Sequence, residues 1–166
     1  MKTTSKILTK DFNFEAKHIG LFLDDNLWPH DKWIVTIEGQ VFDYSTGIGH
    51  REYDRNKAFG KEGKEKFVNI MSRNNLKQTK ENLTLYNDEL LKVSKVKPLE
   101  IDDVLYSLLI DASLSDGDFE DFCSHIGANI DSMKSFETYQ ACQKNRKKLK
   151  TFITDIDKAQ ELFQDY

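Results

Sequence analysis

The sequence has no apolar run approaching the roughly 18 residues that a membrane-spanning helix needs. In its first 14 residues, the segment between Lys6 and Lys10 is only three residues long, ILT, which is too short for the apolar centre of a signal peptide. There are only two cysteines, Cys123 and Cys142, each within an apolar helical pattern. That setting favours small buried side chains over a disulfide or a nucleophile. We therefore expect a cytoplasmic protein that does not act at a membrane.

The loop at 41–51, VFDYSTGIGHR, resembles a phosphate-binding loop only in its two glycines after a strand-like run. A Walker loop needs G-x-x-x-x-G-K-[ST] between a strand and a helix, so that backbone N–H groups meet the phosphates. No Lys-Ser/Thr pair follows Gly49, and the next residues are too polar for a packed helix. The pattern favours the exit of a hairpin strand over a ligand loop, because glycine tolerates the backbone angles of such an exit.

Spacings typical of metal sites are also missing. In 111–122, DASLSDGDFEDF, a calcium loop aligned on Gly117 fills one of three acidic positions and puts Cys123 where a bidentate glutamate belongs. Cys123 and His125 point to different sides of a helix, and no second Cys or His pair has zinc-like spacing. We predict no metal and no cofactor.

Catalytic motifs are equally scarce. There is no G-x-S-x-G sequence and no cysteine in an exposed basic setting. His50, Glu52 and Asp54 lie close together in the chain and remain a candidate group for acid–base chemistry. Because nothing in the sequence indicates a pocket beside them, we predict that the protein is not an enzyme and assign it no catalytic residue.

Three strands are predicted in the first third of the chain, at about 15–23, 32–38 and 41–46. The second is the strongest, with Trp33, Val35 and Ile37 alternating on one face. Pro29 is expected to block regular pairing in the turn before it. Gly39-Gln40 is predicted to be a two-residue type II′ hairpin loop.

Helices are predicted from Pro98 onwards. An apolar stripe runs from Ile101 to Ala112 at helical spacing. Asp118 is the predicted N-cap of the next helix, FEDFCSHI, and Gly127 its end. A long helix is expected at about 131–153 and a last one at about 155–164. The long helix is expected to bury Met133, Phe136, Tyr139, Cys142, Leu149 and Phe152.

Strands followed by helices predict the α+β class: a small three-stranded antiparallel sheet and a C-terminal bundle of about four helices packed on one face. We predict one domain over 1–166, made of the sheet (12–50), a basic insertion (55–97) and a helical half (98–166). The insertion holds eleven Lys/Arg against five Asp/Glu and is expected to carry one or two short elements.

The uneven charge is the most informative feature. Residues 99–131 contain nine Asp/Glu and no Lys or Arg, whereas 144–150, KNRKKLK, is basic. Such patches can pair internally, can simply solvate helices, or can steer a charged partner. The candidate partner-binding residues are Asp111, Asp116, Asp118, Glu120 and Asp121. If the partner is nucleic acid, the candidates are Lys144, Arg146, Lys147 and Lys148.

Several segments in order resemble a family of small bacteriophage and prophage proteins of unassigned function. They are DKWIVTIEGQVFDYSTGIGHR (31–51), DVLYSLLIDAS (103–113), DFEDFCSHIGANIDSMKSFETYQACQKNRKKL (118–149) and FQDY (163–166). The chain departs from the family pattern in its longer 55–97 segment and in HIGANIDSMKS (125–135), where the family has EFGYDTDSRKA.

The resemblance implies a phage accessory protein and brings no catalytic residues with it. Small phage proteins of this kind often bind host machinery, anti-CRISPR proteins being an example. We therefore expect an inhibitor of a host antiviral effector, such as a Cas nuclease or its guide-RNA complex, acting in the host cytoplasm. The alternative is a nucleic-acid-binding accessory protein of phage replication.

Overall fold

The computed structural model describes residues 1–61 and 80–166, and it has the predicted α+β class. The strands are Lys2–Ser5 (β1), Lys10–Leu23 (β2), Pro29–Ile37 (β3), Gln40–Gly47 (β4), Arg51–Tyr53 (β5) and Ser94–Val96 (β6). The helices are Arg55–Phe59 (α1), Lys80–Lys92 (α2), Ile101–Leu114 (α3), Phe119–Ile126 (α4), Met133–Leu149 (α5) and Ile156–Leu162 (α6). A 3-10 helix spans Ile48–His50, so Gly47 does end a strand, as predicted. No helix in the two described ranges is both long and apolar enough to cross a membrane.

The main sheet has four strands, in the order β1-β2-β3-β4, so the prediction of three was wrong. The added strand, β1, is the short polar segment KTTS, which pairs antiparallel with the start of β2, Lys2 opposite Asn13. Four residues without apolar alternation give no strand signal in the sequence. A long-range contact anchors β1 at its end, because Ser5 Oγ donates to Asp102 Oδ1 on α3.

The hairpin between β3 and β4 turns one residue earlier than predicted. Its two loop residues are Glu38 and Gly39, with φ angles of 50° and 79°, instead of Gly39 and Gln40. Positive φ at both positions is the pattern of a type I′ turn, so the type II′ prediction was wrong. Glu38 is held in this uncommon conformation from β2, since its carboxylate accepts the Asn13 N–H at 2.7 Å and its own N–H donates to Asn13 O at 2.9 Å.

Pro29 does not block pairing but begins β3, where a proline is tolerated because the first residue can do without a ladder hydrogen bond. The predicted alternation along this strand is confirmed: Trp33, Val35 and Ile37 are buried, whereas Ile34 is exposed. Asp31, two residues before Trp33, continues the buried face.

The described chain divides into two compact units. Unit 1 is Met1–Ala16, Val35–Phe42 and Leu99–Tyr166, and unit 2 is Lys17–Ile34 and Asp43–Pro98. The division cuts through the predicted sheet segment instead of following its boundaries. Whether the chain behaves as one domain stays a prediction.

Unit 1 contains the four C-terminal helices that were predicted, with α3 packed against α5, α6 and β1. The stripe from Ile101 to Ala112 is buried, as expected from its spacing. Phe12 and Phe42 from the strands meet Phe152 edge to face, with ring centroids 6.0 and 6.5 Å apart. The strands of this unit therefore pack against the turn that follows α5, and β1 contacts α3.

Unit 2 contains the small β5–β6 ribbon, in which Arg51 lies opposite Val96. Ala58 and Leu90 form a small apolar cluster with Tyr53, Tyr86 and Val93 around them. The predicted basic insertion thus includes α1, α2 and β6 in its described parts, while residues 62–79 lie outside the described residues.

Candidate protein-binding surface

The turn from α3 to α4 in unit 1 positions the acidic residues that the sequence singled out. Ser115 is buried, and its hydroxyl donates to Ala112 O at 3.0 Å. Asp118 caps α4 as predicted, since its carboxylate accepts the Asp121 N–H at 2.8 Å. Gly127 ends the helix with φ of 69°, also as predicted.

Four of the five candidate acids, Asp116, Asp118, Glu120 and Asp121, are exposed, and we call them the acidic surface. Asp111 is different. It is half-buried, and burial raises the pKa of its carboxyl group. Burial together with the Asp111 charge raises the pKa of the Cys142 thiol on α5 to about 11. Asp111 therefore belongs to the packing between α3 and α5 more than to a surface for a partner.

The members of the acidic surface differ in whether their carboxylates already form an ion pair or a hydrogen bond within the protein. Asp116 forms an ion pair with Arg146 at 3.0 Å, and Asp118 is used as a cap. Neither Glu120 nor Asp121 forms an ion pair or a side-chain hydrogen bond with any residue that the structure describes. Because no residue in the described part of the chain pairs with their charges, these two residues are the most available for a partner.

Other acids of the 99–131 stretch have structural roles. Asp102 is buried and accepts both the Ser5 hydroxyl and, at 3.0 Å, the Lys6 N–H. Asp103 accepts a hydrogen bond from the hydroxyl of Tyr166, which ties the end of the chain to α3. The acidic stretch is thus divided between internal anchoring and an exposed surface.

The basic candidates are also divided. Arg146 is mostly buried and, besides Asp116, donates to Ala112 O at 2.9 Å. Lys148 donates to Val41 O at 2.6 Å and lies over the ring of Phe42. Lys144 and Lys147 are exposed. Half of this set therefore stabilises unit 1 itself.

Next to the acidic surface, four apolar side chains are exposed where α4 ends and α5 begins. They are Ile126 (42%), Ile130 (51%), Met133 (71%) and Phe136 (41%), and we call them the apolar corner. The prediction that α5 buries Met133 and Phe136 was wrong, whereas Tyr139 and Leu149 are buried. Helix α4 has only eight residues, and in the first turn of α5 it contacts Phe136 through the ring of Phe119, whereas Tyr139, one turn further on, contacts both Phe119 and Phe122.

The three residues of the possible acid–base group of unit 2 do not all line the same depression. Glu52 and Asp54 line a depression of about 900 Å³, where Glu52 pairs with Lys95 at 3.3 Å and Asp54 caps α1. His50 is exposed on the short 3-10 helix and is not among the lining residues. In the described ranges, no three His, Cys, Asp or Glu side chains are placed to hold a metal ion.

Sequence reasoning missed a buried charge cluster in unit 2. Asp31 is 1% exposed and receives two hydrogen bonds from Arg51, Nε to Oδ2 and Nη2 to Oδ1, both 2.9 Å long. His18 Nε2 lies 2.9 Å from the same Oδ1, and its ring meets Trp33 edge to face. Burial raises the pKa of Asp31, but the hydrogen bonds from Arg51 and His18 outweigh it, so the pKa is lowered overall. The strand period, which puts Asp31 on the face of Trp33, was the available signal.

Comparison of the chain with protein-family models, with curated proteins and with solved structures finds no match.

Proposed function

We propose that this protein is a non-enzymatic binding protein of bacteriophage origin that inhibits a host antiviral effector, with a CRISPR nuclease or its guide-RNA complex as the target. The exposed acidic surface at the start of α4 carries the proposal. Within unit 1 it combines two carboxylates that form no ion pair there, those of Glu120 and Asp121, with an adjoining set of exposed apolar side chains. That combination is typical of a surface that binds another protein.

The mechanism follows from charge. An effector that holds nucleic acid does so with Lys and Arg side chains that neutralise phosphates. Glu120 and Asp121 present carboxylates from successive positions of a capped helix, and Asp116 and Asp118 lie just before them. We propose that these carboxylates occupy the phosphate sites of the effector and so compete with its nucleic acid, while charge complementarity speeds association.

The nucleic-acid-binding alternative has less support. Of its four candidate residues, Arg146 and Lys148 are engaged within unit 1, which leaves Lys144 and Lys147. Two exposed lysines release few counterions and predict weak binding that is lost at moderate salt. A shift of labelled RNA or DNA by micromolar protein at low salt, abolished in a Lys144→Gln/Lys147→Gln variant, would favour this alternative.

The proposal is tested by plaque assay in bacteria that carry an active CRISPR nuclease directed against the infecting phage. Expression of the wild-type protein should raise the efficiency of plating. The Glu120→Gln/Asp121→Asn variant should restore defence, because it removes two charges without changing side-chain size. It also leaves the α4 cap in place, since the capping bond uses the backbone N–H of Asp121 and not its carboxylate.

The control variant is Glu161→Gln/Asp165→Asn, which removes two exposed carboxylates at the C-terminal end of unit 1. It should inhibit like the wild type. Equal inhibition by both variants would rule out the acidic surface as the contact. Failure of the wild type to protect phage from any effector tested would contradict the proposed target class.

A further inference from the structure

The apolar corner exposes large side chains on one connected stretch, from the last residue of α4 to the first turn of α5. Single exposed apolar residues are common on protein surfaces, but adjoining ones point to an interaction site. Ile126 and Ile130 flank the Gly127 turn, and Met133 and Phe136 are three residues apart on one face of α5.

The inner side of this corner is well packed, so the exposed side chains sit on a fixed frame. Phe119 and Phe122 of α4 contact Tyr139 of α5, with ring centroids 5.4 and 5.2 Å apart. The Tyr139 hydroxyl donates to Gly117 O at 2.7 Å, and the Phe136 ring lies 5.2 Å from that of Phe119. A partner therefore meets a preorganised surface and does not have to order it first.

The charges around the apolar corner indicate the charge of a partner that would bind there. Asp131 lies between Ile130 and Met133 in the chain, and Glu137 follows Phe136. Residues 118–137 contain five carboxylates and one lysine. An apolar patch with an acidic rim is complementary to a surface that is apolar in the centre and cationic at its edges.

We propose that the apolar corner is a docking site for a basic amphipathic helix of a partner protein. Leu- or Ile-type side chains of that helix would cover Met133 and Ile130, while its Lys or Arg side chains would face Asp131, Glu137 and Glu120. This proposal rests on the proposed function in taking the partner to be a protein, and it specifies the element that the partner contributes. Negative charge around the patch disfavours an anionic membrane as the occupant.

The test uses a fluorescein-labelled model peptide, LKKLLKLLKKLLKL, which places leucines on one face of a helix and lysines on the other. Its control is a permuted peptide of the same composition without a one-sided apolar face. Fluorescence anisotropy with the full chain should show tighter binding of the amphipathic peptide. Chemical-shift changes of backbone amides should concentrate in 126–137.

Two protein variants locate the contact. Ile130→Ser/Met133→Ser removes the two most exposed members of the corner and should weaken binding of the amphipathic peptide by about tenfold or more. Val41→Ser/Leu162→Ser removes two other apolar side chains of unit 1 that are 50% and 53% exposed, and it should bind like the wild type.

Equal binding of both peptides, or equal affinity of both variants, would overturn the docking site. So would flotation of the wild type with phosphatidylcholine vesicles when that flotation is lost in Ile130→Ser/Met133→Ser, since it would show a lipid-binding patch. The assay is independent of any phage defence system. Peptide binding at 126–137 together with a negative plaque assay would leave the docking site standing and reject the antiviral target.

Discussion

Removing the charge of Asp31 should destabilise unit 2 more than removing the charge of any exposed carboxylate. In Asp31→Asn, the side chain keeps its size but leaves the guanidinium of Arg51, whose side chain is 11% exposed, without a counter-ion. Breaking a buried ion pair from one side typically costs about 3–5 kcal/mol of unfolding free energy. We expect about 3 kcal/mol, the lower end of that range, because the amide carbonyl of the substituted side chain still accepts one hydrogen bond.

The assay is urea unfolding followed by tryptophan fluorescence. Trp28 and Trp33 both lie in unit 2, so the signal reports on the unit that contains the cluster. Asp24→Asn is the matched control: Asp24 Oδ2 lies 2.9 Å from His30 Nε2, the same distance as in the Asp31–His18 contact, but in an exposed setting. Its Oδ1 accepts the N–H groups of Asn26 and Trp28, and the amide oxygen of Asn can still accept them. This variant should leave the midpoint nearly unchanged. If Asp31→Asn lowered the urea midpoint no further than Asp24→Asn at pH 7, the reasoning would be refuted.

The pH dependence gives an independent check. The folded-state pKa of Asp31 is lowered, so ionised Asp31 stabilises the fold at every pH above its unfolded value, about 3.9. This contribution is lost as the pH falls through the pKa that Asp31 has in the folded state. The difference in unfolding free energy between wild type and Asp31→Asn should therefore shrink as the pH falls below about 4. Replacing both partners, as Asp31→Leu/Arg51→Met, should cost less than the single change, because no buried charge remains.

Helix α4 was predicted to the residue because its signals are local. Asp118 accepts an N–H three residues ahead, and Gly127 adopts the left-handed conformation that ends the helix. Both effects act within one turn, so the residue types at the ends are sufficient to place them. The same locality explains why the apolar stripe of α3 correctly predicted which face of that helix is buried.

Strand β1 and the Asp31 cluster depend on distant residues, and the sequence does not reveal which ones meet. Ser5 is anchored by Asp102, 97 positions away, and Asp31 by Arg51, 20 positions away. A short polar strand and a buried carboxylate both contradict local preference, so only the tertiary partner makes them stable. For Asp31 the strand period did indicate burial, and a buried carboxylate requires a cationic partner.

The acidic candidates show the same limit within the site. Asp111 follows Leu108 by three residues and Val104 by seven, so helical spacing places it on the flank of the buried stripe, and the structure has it half-buried. Asp116 has no such signal, because its pairing depends on Arg146, thirty positions further along the chain. The charge count alone identified an acidic region but not which members are exposed and unpaired.

Two further predictions concern Gly39 and Cys142, both in unit 1. Gly39→Ala should lower the urea midpoint measured by circular dichroism and cost about 1 kcal/mol of unfolding free energy. Gly39 has φ of 79°, and an added Cβ would meet no atom within 4 Å, so backbone strain is the only penalty. Gly47→Ala is the control and should not be destabilised. A Cβ at Gly47 also meets no atom within 4 Å, but its φ of −70° suits any residue. In a Cys123→Ala background, Cys142 should react slowly with a thiol reagent at pH 8, because a pKa of about 11 leaves little thiolate, and rapidly in urea. Equal rates in both states would show that the α3–α5 contact does not shield this thiol.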